Sequence, residues 1–584
     1  MASVNIRRII EGMTLEQRIA QLFLSGIVAE ESLEQVRAYM EENHFGGYSL
    51  SYNFARFIRG GSYHPCGIGR FVPIERTARF LHDVKELSWQ IMGVPTICTC
   101  DQEGGMEESE FRRSPTVLTP NQMGLAAIGE AKEAYANAYL SASQLKAVGV
   151  DMLLGACLDV NSNPRNPEIA HRALGDEPAT VARLGKQVIR AYMDAGLFCT
   201  AKHFPGRGHA EVNVHADFDV LDMPREHFEA VEFPPFRAAI RAGVEMVMLS
   251  HSIYPALGDA EFPASLSRAI IQDVLRGQLG FKGVVYTDDL SMLAISNRWG
   301  VPTACAMAFA AGNDMILMKV NKELTPAVRE TVRFIREGRL SEEQVNRSVE
   351  KVLKLKRKYG MFERRPFDPR RVRRGVGTAA QVKAGRRLAR KAVLCLRNVG
   401  DLLPLTADRF RSPLVVAQRS CSICVANDRN RSHDMLLNSV RRHFPGAWGT
   451  VIDQNPTADQ TFELEGLAKN ADVVIFMLAA VRSGEAAVGQ EAPVLEALKK
   501  TLAVGKPLVA MITGAPYLAG ELPDAVAAVV CCFGVSPLTI EAVVDLMCGR
   551  IPSIGRLPVH VSDALPRGFQ VKLKRAQRTA ARAG

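Results

Sequence analysis

"LFCTAKHFPGRG", residues 197–208, changes character halfway. Leu197 to Ala201 are mostly apolar and read as a strand buried on both faces. Lys202 and His203 then bring charge, and Pro205, Gly206 and Gly208 read as a turn leaving the strand end. The same succession recurs along the first 320 residues, in "QLFLSG" (21–26), "GGYSLS" (46–51), "VPTICTCD" (94–101) and "VDMLLGACLDVN" (150–161). It continues in "EMVMLSHS" (245–252), "GVVYTDD" (283–289) and "DMILM" (314–318), with helical patterns between. Eight such units predict a (β/α)8 barrel of the TIM type.

Where the polar residues fall supports that reading. Asp101 and Glu103 follow the third run, Asp159 and Asn161 close the fourth, His251 ends the sixth, and Asp288 and Asp289 end the seventh. Buried strand ends do not collect charge without reason, because desolvating an unpaired carboxylate is costly. One pocket at the carboxyl rim of a barrel accounts for all of these placements.

A second series, "PLVVAQ" (413–418), "ADVVIFML" (471–478), "KPLVAMIT" (506–513) and "AVAAVVCCF" (525–533), predicts a smaller α/β sandwich without strand-end carboxylates. The expected division is a catalytic barrel over 1–350, a basic connector over 351–391, the sandwich over 392–565 and a basic tail over 566–584. The connector holds sixteen Lys or Arg against Glu363 and Asp368, more than the net charge of +10 on all 584 residues. That charge sits in solvated-looking stretches without interleaved aromatics, so nucleic acid is not an expected partner. No segment has the unbroken apolar length of a membrane span, and no apolar stretch behind a basic start reads as a signal peptide. The 12 cysteines are scattered, and the lone "CSIC" pair (Cys421, Cys424) lacks a matching second pair for zinc. A cytoplasmic location follows as the expectation.

The loop continues as "HAEVNVH" to residue 215. His203, His209 and His215 are six residues apart, which suits neither a helical metal pair nor a compact knuckle, so no metal is expected. "PGRG" lacks the Gly-Lys-Ser/Thr ending of a phosphate loop. A sugar remains. Glycoside hydrolysis needs a proton donor and, with retention, a carboxylate nucleophile. Asp288 is placed for the nucleophile, with Asp289 nearer the next helix as its cap. His215 is a candidate donor, since imidazole titrates near neutrality. The turn glycines are expected to let the loop swing.

These stretches, together with "DQEGG" (101–105), "DVNSNPRNPEIAHRALGDEP" (159–178), "PASLSRAIIQDVLRGQLGFKGVVYTDDLSM" (263–292) and "GRLPV" (555–559), resemble family 3 glycoside hydrolases of the β-N-acetylhexosaminidase branch. The resemblance runs from about residue 14 to about 560. It implies a barrel followed by a sandwich, no cofactor, and a retaining double displacement with Asp288 forming the glycosyl-enzyme. It implies that Asp101, Arg172, Lys202 and His203 hold sugar hydroxyls, and that peptidoglycan fragments are the substrate class. The branch takes its acid/base from a histidine two residues after an aspartate. Here the triplet is "NVH", so His215 keeps the role while Asn213 replaces the aspartate and supplies no charge. Arg207 stands where a histidine is usual. Two alternatives stay open: a glucosidase or phosphorylase using Glu485 or Glu491, and a sugar-binding protein with impaired catalysis.

Overall fold

The computed structural model describes residues 5–28, 32–51, 73–105, 111, 114–212, 219–418, 431–453, 455–480 and 492–573. Eight parallel strands form the first sheet: β1 (Phe23–Val28), β2 (Gly47–Ser51), β3 (Ile97–Cys100), β4 (Met152–Leu153), β5 (Phe198–Phe204), β6 (Met246–Leu249), β7 (Val284–Thr287) and β8 (Ile316–Met318). They pair in chain order, β8 returns to β1, and a parallel bridge between Tyr286 and Met315 draws β7 to the start of β8. The result is a nearly closed (β/α)8 barrel. Every residue of β3, β5, β6 and β7 is buried, as expected of strands covered on both faces.

The helices between them turn apolar stripes inward. Pro178–Asp194 begins with Pro at its first turn and buries Val181, Leu184, Val188, Ile189 and Tyr192, a helical spacing, against β5 and the helix Ala131–Val148. Gly196, at φ +82°, then reverses the chain into β5. A short hairpin, Ile253–Tyr254 with Asp259–Pro263, was not legible as strand in the sequence.

The second sheet contains β9 (Leu394–Asn398), β10 (Leu414–Gln418), β11 (Trp448–Ile452), β12 (Val474–Ala480), β13 (Leu508–Gly514) and β14 (Ala528–Cys531), in the order β9-β14-β13-β12-β10-β11. All neighbours are parallel except β9 against β14. The four strands expected from sequence are the four inner ones. The two unexpected strands, β9 and β11, are the edges, where half-exposed residues break the apolar run that marks a buried strand.

The stretch 351–391 lies between the two sheets and is largely helical. It contains the end of the helix Glu342–Lys358, then the helices Pro369–Gly375 and Ala379–Ala392. Its cations meet acids from distant parts of the chain: Lys351 pairs with Asp314, Arg364 with Glu86, Arg387 and Lys391 with Glu133, Arg386 with Glu541, and Arg390 with Asp545. A one-sided charge count in sequence hid these partners. Among the described residues no helix is long and apolar enough to cross a membrane.

Candidate active site

Asp101 and Glu103, just past β3, open a run of alternating charge. Arg172 forks onto Glu103, with Nε 2.7 Å from Oε2 and Nη2 2.9 Å from Oε1. Lys202 Nζ lies 2.6 Å from Glu103 Oε1 and 3.4 Å from Asp101 Oδ1, and Lys319 Nζ lies 3.4 Å from Asp101 Oδ2. On the other side, Glu168 reaches Arg172 Nη1 at 3.5 Å and Arg207 Nη2 at 2.8 Å, the latter an ion pair without hydrogen-bond alignment. The order Arg207–Glu168–Arg172–Glu103–Lys202–Asp101–Lys319 gives each buried ion a neighbour of opposite sign. Burial pushes the Glu103 carboxyl up, but Arg172 and Lys202 outweigh it and hold it well below the usual carboxylate range. Burial likewise depresses the Lys202 ammonium, and Glu103 and Asp101 together raise it above its ordinary value.

A second arm starts at Asp159, beyond β4. Its Oδ2 accepts from Cys157 Sγ at 3.0 Å, the His203 backbone N–H at 3.1 Å and His203 Nδ1 at 2.8 Å. Its Oδ1 accepts from the Arg207 N–H at 2.8 Å. Burial alone would raise this carboxyl, yet His203 and the other donors lower it to about 2. With Nδ1 committed to Asp159, the His203 ring presents Nε2 to Asp288, 3.9 Å from Oδ2. Cys157, Asp159 and His203 are the one grouping among the described residues close enough to hold a metal ion, and their ligand atoms are joined in this hydrogen-bonded relay.

The double aspartate after β7 divides its duties. Asp289 Oδ1 accepts from Ser291 N at 3.0 Å, Ser291 Oγ at 2.6 Å and the Lys319 N–H at 3.2 Å, so it builds the turn and ties β7 to β8. Asp288 Oδ1 accepts the Asp289 N–H at 2.8 Å and Oδ2 faces His203. Burial raises the Asp288 carboxyl, while His203, His251, Lys202 and that N–H prevail and hold it well below the usual range. His251 is itself fixed beneath, bonded to Ser265 Oγ at 2.8 Å and to the Asp289 carbonyl at 3.1 Å.

The turn after His203 is packed, contrary to the expectation of a swinging loop. A Cβ on Gly208 would stand 1.7 Å from the Val160 carbonyl oxygen, and one on Gly206 would stand 2.2 Å from Glu232 Oε2. Arg207 between them is fully buried. Glycine is required here for close approach rather than for freedom.

Asp101, Arg172, Lys202, His203 and Asp288 are thus gathered at the carboxyl rim. His215 and Asn213, and the alternatives Glu485 and Glu491, lie outside the described residues. Sequence reasoning placed Glu103 and Asp159 at strand ends without a task, and passed over Glu168 and Lys319. A signal existed for each: Glu103 sits two residues after Asp101, Glu168 is one helical turn before Arg172, and Lys319 directly follows the apolar run of β8.

Residues 14–355 match the model of the glycosyl hydrolase family 3 N terminal domain. The chain belongs to glycosyl hydrolase family 3. A β-hexosaminidase of Xanthomonas oryzae pv. oryzae is 36% identical over 243 residues, 40% of this chain and 71% of that protein. A β-N-acetylglucosaminidase/β-glucosidase of Cellulomonas fimi is 27% identical over 497 residues, 80% of this chain and 84% of that one. The structure of a family 3 β-N-acetylglucosaminidase from Paenibacillus sp. str. FPU-7 superposes with a TM-score of 0.82 at 28% identity, covering 94% of this chain and 99% of that one.

In this family 3 chain the second sheet braces the rim. Met123, Ala127 and Ala170 bury themselves in its core, and Asn161 Nδ2 donates to Tyr517 Oη at 2.6 Å. Ala170 holds left-handed backbone at φ 36°, a conformation costing about 1–3 kcal/mol in general. It lies two residues before Arg172, so packing from the second domain fixes the turn that aims the guanidinium.

Proposed function

We propose that the chain is a retaining exo-β-N-acetylglucosaminidase acting on terminal β-linked N-acetylhexosamine, with peptidoglycan-derived fragments as its substrates. The observation that carries this reading is Asp288: a carboxylate held ionised at a barrel rim, bonded to one backbone N–H and facing the ring of His203, which Asp159 orients. Asp288 attacks the anomeric carbon as His215 protonates the departing glycosidic oxygen. His215 then takes a proton from water, which attacks the same carbon and frees the sugar from Asp288. Asp101, Arg172, Lys202 and His203 hold the sugar. Asn213, in the place of the branch's aspartate, supplies no charge to stabilise the His215 imidazolium, which makes proton transfer the weak step. The nine described cysteines are all free, which supports a reducing, cytoplasmic setting.

A panel of nitrophenyl β-glycosides, assayed with and without phosphate, tests this. The expected result is fastest release from the β-N-acetylglucosaminide, a β-configured free sugar as first product, and a rate indifferent to phosphate. Preference for the glucoside, a sugar 1-phosphate product, or sugar binding without turnover would each replace this reading.

A further inference from the structure

We infer that Lys319, at the end of β8, is a substrate-recognition residue that works as one unit with Asp101. The inference rests on the function proposed above and adds a residue to its sugar site. In the alternating run, the side chains of Arg207, Glu168, Glu103 and Lys202 are 0, 4, 2 and 3% exposed, and Arg172 is 9% exposed. The run opens at its other end, where Asp101 is 25% and Lys319 16% exposed. The inner members share their charges with one another, and the Asp101–Lys319 pair is the most exposed part of the run.

The pair has the chemistry of a polyol site. Asp101 offers carboxylate oxygens as acceptors, and the Lys319 ammonium, 3.4 Å away, offers N–H donors. Each hydroxyl of a vicinal pair both donates and accepts, so adjacent acceptor and donor groups grip it in charge-assisted geometry. The run holds four cations against three anions, with the buried Arg207 closing one end and the more exposed Lys319 the other.

Lys319 is also set in place by its backbone. Its N–H donates to Asp289 Oδ1 at 3.2 Å, next to Asp288, and its carbonyl oxygen lies against Gly26 of β1, where a Cβ would stand 2.4 Å away. The backbone from which the side chain springs is therefore placed from both neighbouring strands, and the ammonium is held at Asp101. Among the cations around Asp101, Lys319 does most to keep that carboxyl ionised against its burial.

The test compares wild type, Lys319→Met and Lys319→Arg on nitrophenyl β-N-acetylglucosaminide and its monodeoxy analogues, with thermal melts to verify folding. Loss of a charge-assisted contact to substrate predicts a fall of about 10- to 100-fold in kcat/KM for Lys319→Met on the parent glycoside, carried mainly by KM. Lys319→Arg should recover part of it. The fall should shrink to near nothing on the one or two deoxy sugars that lack the hydroxyl the ammonium meets. An active wild type with equal losses on every analogue, or with no loss, overturns the inference alone. A wild type without turnover on the parent glycoside overturns the parent function and this inference with it.

Discussion

At the carboxyl end of the barrel, Glu103, Arg172, Lys202 and Asp159 are almost wholly buried and each lies beside a group of opposite charge or a cluster of donors. At the amino end, Lys356 is equally buried but among the described residues bonds to neutral oxygens, Gln21 Oε1 at 3.3 Å and the Gly46 carbonyl at 2.9 Å. Burial, opposed weakly by Asp151, lowers the Lys356 ammonium from 10.5 to about 7, whereas Lys202 is raised by its two carboxylates. The same residue type at the same depth thus moves in opposite directions. What keeps charge at the upper rim is partnership, and a site that must grip hydroxyls and stabilise a developing cation needs its charges kept.

Removing the shared counter-ion is the strongest way to break that contrast. Glu103→Gln leaves Arg172 and Lys202 facing one neutral amide. Breaking a buried ion pair generally costs about 3–5 kcal/mol. We expect a corresponding fall in thermal stability together with a loss of roughly 100-fold in kcat/KM, since both cations would be released from their present positions. A melt and a rate profile at the wild-type level would mean that the alternation is incidental.

A smaller effect sharpens the contrast from the amino end. With a folded pKa near 7 and an ordinary value of 10.5, Lys356 binds a proton more weakly in the native state than in the unfolded one. Stability therefore rises with pH across that window. Relative to Lys356→Met, the wild type should gain about 3 kcal/mol between pH 7 and pH 9.5. Parallel stability curves for the two proteins would show that Lys356 stays charged in the fold.

The same contrast explains what was legible in the sequence. All eight barrel strands were visible, because strands covered on both faces must be continuously apolar and their ends stand out when charge follows. Asp101, Arg172, Lys202, His203 and Asp288 could be named from motifs at those ends. Glu168 and Lys319 were not, because the position of each gave a signal without a task, and the task lies in a chain of pairings that joins residues up to 218 positions apart. The partners of the connector's cations were hidden for a related reason: Glu86, Glu133 and Asp545 are scattered through both halves of the chain. The glycines of the turn after His203 were read as hinges, since sequence shows a missing side chain without showing what occupies its space.

The most direct measurement of the central claim, that Asp288 is the carboxylate that attacks the sugar, is covalent trapping. An activated 5-fluoro glycoside of N-acetylglucosamine, incubated with the enzyme and followed by proteolysis and mass spectrometry, should inactivate it with one sugar bound per chain. The adduct should lie on Asp288, and Asp288→Ala should neither turn over substrate nor be labelled. An adduct on Asp289, Glu485 or Glu491, or turnover by Asp288→Ala at the wild-type rate, would contradict the account.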